Sequence, residues 1–367
     1  MLTSSQRMVD FLKMEPVPKK DLTESKVGKM AQKITIYDVA KRAGVSKTSV
    51  SRYLGGRLDE LADKTKKKIE SAVQELDYRP STAARGLKGR KSYLIGVIIA
   101  DIRNPYSTAI LRGAEEISSK NGYSLMICNS DNNPEKERNF IHMLQSHRID
   151  GLIIHTTGGN NSSLLEMKDD SIPVVLLDRN IPELDMDFVG LDNRQATEDS
   201  LGFLLQRNYE RIAFFSEPFQ EISTRHERYQ FFQDVLKKNN HESSDDIYIV
   251  STDDGCLFRN KLVSFLEDAQ GQSKAIFTVN ALLMLKVANE LNTMNISVPD
   301  ELSLLTFDNP DWAPVVFGGI TCIEQPTFEI GVSAMKMVLE RIRGERTTSQ
   351  SFMYKGKLIK RNSTPEK

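Results

Sequence analysis

Residues 34–57 read ITIYDVAKRAGVSKTSVSRYLGGR, the pattern of two short helices joined at a glycine. Ile36, Val39, Ala40, Ala43 and Val45 recur at helical spacing and give the first helix one apolar face. Gly44 stands where that helix must stop and the backbone must turn. Ser46 is a good N-cap for a second helix whose inner face is Val50 and Leu54. Its outer face carries Lys47, Thr48, Ser49 and Arg52, all hydrogen-bond donors. Held rigidly by a partner helix, such a face suits the DNA major groove. The plainer alternative is a helical hairpin with a solvated face.

Charge distribution points the same way. The net charge is −1, but residues 34–90 hold 13 Lys/Arg against 7 Asp/Glu and residues 91–367 hold 29 against 39. A basic N-terminal module on an acidic body suggests a polyanion contacted at one end only. A third helix, Asp63–Leu76, carries Ile69, Ala72, Val73 and Leu76 on one face to cover the first two. Tyr78-Arg79-Pro80 ends it, and a domain boundary falls between residues 88 and 92. Residues 1–33 are polar and Lys-rich, lack the apolar core of a secretory signal, and are read as a flexible extension.

From Tyr93 onward, Val/Ile/Leu-rich runs appear at 93–100, 123–128, 151–155, 173–177, 211–215, 247–250, 274–279 and 302–307. Helical periodicity fills 106–121, 134–147, 194–207, 224–239 and 281–294. This alternation predicts parallel sheets covered by helices on both faces, and eight strands are better divided into two open sheets than crowded into one. The turn-rich segment 180–193 is the expected crossing between two lobes. A second lies near 308–326, and a helix over 327–343 returns to the first lobe. Ligands of such sheets bind beyond the carboxyl ends of the strands, so two facing lobes imply a cleft.

Cys128, Cys256 and Cys322 are widely spaced and fit buried thiols of a reducing compartment. The five histidines show no zinc spacing, and neither a metal nor a cofactor is expected. No 18-residue apolar run exists, so no membrane partner is expected and the location is read as cytoplasmic. The absence of a glycine-rich dinucleotide loop, a Walker loop and a serine elbow argues against an enzyme.

TIYDVAKRAGVSKTSVSRYL, YRPSTAARGLK, IGVIIADIRNPYS, RGAEE, DGLII, PVVLLDR, VGLDN, VPDELSLLTFDN and TCIEQP, in that order, resemble the lactose-repressor (LacI/GalR) family of bacterial transcription regulators. The likeness runs from residue 34 to about 345. It implies an all-α helix-turn-helix headpiece (34–80), a hinge helix (81–91) and an α/β, two-lobed, periplasmic-binding-protein-like body (92–360). That body has two parallel Rossmann-like sheets, and a tail follows at 361–367. Lobe 1 would comprise about 92–190 and 325–345, and lobe 2 about 191–322 and 346–360. The implied partners are a palindromic double-stranded DNA operator, a second copy of the chain (a tetramer being the larger alternative) and a sugar or sugar-acid effector.

The resemblance places base reading on Lys47, Thr48 and Arg52. Thr35, Tyr37, Ser46, Ser49, Ser51, Tyr53, Arg79, Ala84, Arg85 and Lys88 complete the DNA-facing set. Leu87 becomes the hinge leucine wedged into the minor groove, a packed linker residue being the alternative. Gly86 replaces the commoner serine and costs the hinge helix about 1 kcal/mol of propensity relative to alanine. Ala62 lacks the usual capping hydroxyl, leaving Asp63 to favour the start of the third helix.

Effector contacts fall on Tyr106, Ser107, Asp178, Arg179, Arg228, Asn280, Asp308 and Gln325. Trp312 is expected to flank the ligand, the alternative being a plug within one lobe. Carboxylates and amides suit adjacent hydroxyls, and Arg228 with Arg179 suits an acidic group. Ala281 replaces an acidic residue common after the asparagine, which alters that network. The readings are therefore a repressor of carbohydrate utilisation relieved by an inducer, a global regulator using a phosphoprotein corepressor, or a sugar-binding transport protein. The basic headpiece counts against the last.

Overall fold

The structure, a computed structural model, describes residues 34–55, 57–78, 91–219, 222–241, 246–251 and 255–366. The chain divides into two compact units, a headpiece and a body, considered separately below.

In the headpiece, helix α1 (Ile36–Ala43) begins where Asp38 Oδ2 accepts both the Thr35 N–H and the Thr35 hydroxyl at 2.7 Å. It ends at Gly44 (φ 63°), a left-handed turn that lets Val45 N–H reach Ala40 O; only glycine enters that region without a steric penalty. Helix α2 (Lys47–Leu54) is capped by Ser46, whose Oγ accepts the Ser49 N–H at 3.1 Å. Helix α3 (Asp63–Glu75) crosses both. Val39, Ala40, Ala43, Val50, Ile69 and Ala72 form the buried core, and an Arg42–Glu75 ion pair ties α1 to α3.

The body contains two six-stranded sheets. The first runs β11–β5–β4–β3–β1–β2, and all its strands are parallel. Its members are β1 (Leu94–Ile99), β2 (Ser124–Asn129), β3 (Gly151–Ile154), β4 (Val174–Leu177), β5 (Asp187–Leu191) and β11 (Ser351–Tyr354). The second runs β12–β10–β9–β8–β6–β7, with β12 alone antiparallel. It holds β6 (Arg211–Ser216), β7 (Ile247–Ile249), β8 (Lys274–Thr278), β9 (Ser303–Phe307), β10 (Thr321–Glu324) and β12 (Lys357–Ile359). Each repeats the doubly wound 2-1-3-4-5 order, which opens a crevice where the order reverses.

Lobe 1 is covered by α4 (Pro105–Lys120), α5 (Pro134–Ser146), α6 (Asn161–Asp169) and α11 (Thr327–Arg343). Lobe 2 is covered by α7 (Asn193–Gln206), α8 (Ser223–Lys238), α9 (Gly255–Asp268) and α10 (Ala281–Thr293). Helices α4 and α11 approach closely because Gly113 faces the Phe328 carbonyl and Gly331 faces the Ile110 carbonyl. A methyl group at either glycine would collide with that backbone.

Four expectations need correction. Cys128 and Cys322 are buried, but Cys256 is exposed on α9. The 180–193 segment is not all turn, because Asp187–Leu191 pairs with β4 as β5. Residues 346–360 do not all belong to lobe 2, because β11 pairs with β5 and completes the first sheet. Helices α6 and α9 and strand β10 fill stretches left unassigned by periodicity. The chain thus crosses between lobes three times, after β5, after β10 and after β11. Gly356 lies in the third crossing, where a Cβ would stand 2.8 Å from Ile323 of β10 and 3.5 Å from Leu191 of β5.

Candidate functional site

On α2, Lys47 and Thr48 are exposed, Ser49, Ser51 and Arg52 are half-exposed, and Val50 turns inward. Lys47 Nζ lies 4.3 Å from the centre of the exposed Tyr37 ring and donates to its hydroxyl at 3.0 Å. Arg52 Nε lies 2.9 Å from Glu60 Oε2, in the 3-10 turn Leu58–Glu60 that follows α2. Ser46 and Ser49 hydroxyls contact each other at 2.9 Å, while Tyr53 packs partly into the headpiece core. Thr35 has its hydroxyl committed to the α1 cap. Arg79, Ala84, Arg85, Leu87 and Lys88 lie outside the described residues, and with them the hinge.

In the body, a narrow cavity of about 80 Å3 lies between the lobes, smaller than the usual small-molecule cleft. Its walls come from strand ends: Asp101 after β1, His155 after β3, Asp178 and Arg179 after β4, Glu217 after β6, Asn280 after β8 and Asp308 after β9. Tyr106 and Ser107 on the first turn of α4, Arg225 and Arg228 on α8, and Gln325 complete it. Asn104 and Asn280 cap α4 and α10, accepting Tyr106 N–H at 3.0 Å and Leu283 N–H at 2.9 Å.

Charges are paired along the floor. Asp178 Oδ1 accepts the Tyr106 hydroxyl at 3.1 Å, and His155 Nε2 lies 3.0 Å from Asp178 Oδ2, off the line of a good hydrogen bond. Burial would raise the Asp178 carboxyl, but His155, Arg228 and Arg179 outweigh it and hold the pKa below the usual carboxylate range. Burial, with help from Arg179, keeps His155 low and neutral at pH 7. Asp308 goes the other way: burial raises it, with Asp178 adding to the rise and Arg228 opposing it. Its Oδ1 accepts Gln325 Nε2 at 2.6 Å.

Four lining residues carry buried polar atoms with no hydrogen-bond partner among the described residues: Ser107 Oγ, His155 Nδ1, Arg179 Nε and Gln325 Oε1. Each residue is at most 7% exposed. An unsatisfied buried polar group costs roughly 1–3 kcal/mol, and all four belong to residues that line this one cavity.

Comparison with known proteins agrees with both halves. Residues 35–81 match the family model for bacterial regulatory proteins of the lacI family, and residues 92–362 match that for periplasmic binding proteins and the sugar binding domain of the LacI family. The HTH-type transcriptional regulator KdgR of Bacillus subtilis is 39% identical over 329 residues, covering 90% of this chain and 97% of that protein. PtxS of Pseudomonas aeruginosa, another HTH-type transcriptional regulator, is 41% identical over 332 residues, covering 90% and 96%. This chain belongs to the LacI family. The fold of the Lac repressor dimer bound to operator and the anti-inducer ONPF matches with a TM-score of 0.79 at 20% identity, over 91% of this chain and 99% of that one.

Within this LacI-family chain, the structure brings Tyr106, Ser107, Asp178, Arg179, Arg228, Asn280, Asp308 and Gln325 around one cavity. Trp312 is not among its lining. It packs against the lobe 2 core and borders an adjoining groove that shares Tyr106, Asp308 and Gln325 with the cavity. The sequence reading missed His155, Glu217 and Arg225. Each stands at a strand end or helix start, and that topological position was the available signal. Among the described residues no helix is long and apolar enough to cross a membrane.

Proposed function

We propose that this LacI-family regulator is a cytoplasmic, non-enzymatic repressor of carbohydrate-utilisation genes. A homodimer would hold a two-fold symmetric operator, and a polyhydroxylated inducer bound between the lobes would loosen that hold. The observation that supports an effector is the set of unpartnered polar atoms on Ser107, His155, Arg179 and Gln325 around one cavity. A ligand with adjacent hydroxyls supplies the missing partners, while Asp308 and Asn280 add acceptors and donors at its edge.

On the DNA side, Lys47, Thr48 and Arg52 project from α2, with Thr35, Tyr37, Ser46, Ser49, Ser51 and Tyr53 around them. Two headpieces related by two-fold symmetry read half-sites of matching symmetry. Arg79, Ala84, Arg85, Leu87 and Lys88 would continue the contact into the minor groove.

The test is selection of duplexes from a randomised library by the full chain, followed by titration of the selected duplex with a panel of sugars. A palindromic consensus, salt-sensitive binding and release by at least one compound are expected. Recovery of no duplex preferred over bulk DNA would remove the reading. Sedimentation of the complex reads out two chains or four.

A further inference from the structure

Asp150 stands at the amino end of β3, the end opposite His155 and the cleft. Its carboxylate takes three donors from the residues that open the body. Oδ1 accepts the Ser92 N–H at 2.8 Å and the Ser92 hydroxyl at 3.0 Å, and Oδ2 accepts the Tyr93 N–H at 2.8 Å. Ser92 Oγ accepts the Leu94 N–H at 3.2 Å, which closes the turn into β1. Bonds of this kind to a carboxylate are charge-assisted and roughly twice as strong as neutral ones. Asp150 is only partly exposed, and its neighbour Ile149 is buried in the lobe 1 core. The clamp is therefore tied to the rigid part of the lobe.

The sheet does not need this clamp to hold β1. Asp150 N–H already reaches Leu94 O at 2.8 Å, Ser124 N–H reaches Tyr93 O at 2.9 Å, and β2 and β3 both pair with β1 in register. The carboxylate acts instead on the two residues before the first strand. It holds Tyr93 at φ 58°, with the ring exposed and 5.4 Å from the Tyr123 ring centre. Residues with a side chain seldom adopt that left-handed backbone, and such strain persists only where the surroundings impose it, often at functional positions. The result is a fixed bend where the polypeptide arrives from the headpiece and its connecting segment.

Resting on the reading of two headpieces on one two-fold symmetric operator, we propose that Asp150 is a positioning residue for DNA recognition. By clamping Ser92 and Tyr93 it fixes the point at which each body releases its tether, and so sets the half-site spacing that the pair of headpieces accepts. Half-site spacing is a geometric property of a dimeric reader, and it is only as sharp as the tethers are short. Releasing Ser92 and Tyr93 lengthens each tether by about 7 Å, at ~3.3–3.6 Å per residue, against ~3.4 Å for one base pair. It also returns backbone freedom worth roughly tenfold per residue in an equilibrium constant, to be lost again when both half-sites are engaged.

The experiment measures binding of the full chain to the selected duplex, to a scrambled duplex, and to the selected duplex with one or two base pairs inserted at its centre. Asp150→Ala should bind the selected duplex about tenfold more weakly and the scrambled duplex as the parent does. The insertions should cost the parent about tenfold or more and the variant less than about threefold. Asp150→Asn keeps an acceptor for Ser92 but loses one for Tyr93, and should fall between the two. Ser92→Ala removes one bond of the three and should have the smallest effect. Melting of each variant shows that its body is folded at the assay temperature; should Asp150→Ala fail to fold, the Asn and Ser92→Ala variants carry the test. A clamp that only stabilises lobe 1 would lower the melting temperature and leave the spacing profile of the folded protein unchanged. That outcome, or equal losses on the selected and scrambled duplexes, overturns the inference and leaves the regulator reading standing. A parent without any duplex preference overturns both.

Discussion

Lys47 and Thr48 of the headpiece stand in water, on a three-helix unit whose buried core is six side chains. In the body, Ser107, His155, Arg179 and Gln325 are almost wholly buried and rest on extensive apolar clusters covering both faces of lobe 1 and filling lobe 2. Exposed donors sacrifice little hydration before they bind and suit a polyanion met by long-range attraction. Buried, unpartnered groups destabilise the empty protein and discriminate sharply, because a ligand lacking the right partner leaves them unsatisfied. A small core suffices for the first task. The second requires a scaffold large enough to tolerate the penalty.

That contrast can be broken by comparable injuries to each region. Ile69→Ala should have the largest consequence: removing a core side chain of this kind costs about 2–5 kcal/mol, which a unit this small cannot absorb. Headpiece NMR signals and duplex binding should vanish while the melting of the body stays put; a folded headpiece would show that its core is better supported than six residues imply. Gly331→Ala forces a methyl into the Ile110 backbone and should cost roughly 1–3 kcal/mol. The body should melt lower in calorimetry yet still fold, and loss of the folded body would place its stability near that of the headpiece.

Arg52→Ala tests the exposed side alone. Discrimination between the selected duplex and a scrambled one should fall by about 1–3 kcal/mol, while equal losses on both duplexes would make Arg52 a phosphate contact. Asp308→Asn probes the buried side and should have the smallest effect on stability. Because burial raises the folded-state pKa of Asp308, its ionised form weakens the folded body at neutral pH, and the weakness fades as pH falls through that pKa. The asparagine variant should therefore melt higher than the parent at pH 7, with the gap closing toward about pH 4. Its response to sugars should be lost. A gap that widens on acidification would reverse the assignment.

Most of the architecture was legible because its elements are periodic. Helix α11 was expected over 327–343 and spans Thr327–Arg343, and most body strands lie within a residue or two of their apolar runs. Strand β5 escaped because Pro182 and Asp185 give its approach the look of a turn and Asp187 opens it. Strand β11 escaped because Phe352 and Met353 are half-exposed on a sheet edge, so no buried run announces the lobe to which it belongs. The cleft was legible only in part. Arg225 and Arg228 share one face of α8, and nothing in their spacing tells which is committed to Asn193 and Val279. His155 follows an ordinary strand, and its role appears only when Asp178 is found 3.0 Å away. Trp312 lines the adjoining groove rather than the cavity itself, a distinction that its place in the DNPDW loop does not reveal.

The first and third inter-lobe passages are laced by Asp192 N–H to Tyr354 O at 2.7 Å and by Gly356 N–H to Gln195 at 3.1 Å, and Gly356 leaves no room for a Cβ beside Ile323 of β10. Parallel straps of this kind resist sliding and stretching but leave one soft rotation, as a door keeps only its swing. Gln325 sits on a strap itself, so a molecule held there acts close to the pivot, where a small displacement is amplified toward the rims. An ångström or so at that point sweeps the outer rims of the lobes much farther. Any bulk at Gly356 would wedge the straps apart, stiffening the swing without touching a single group that meets the ligand.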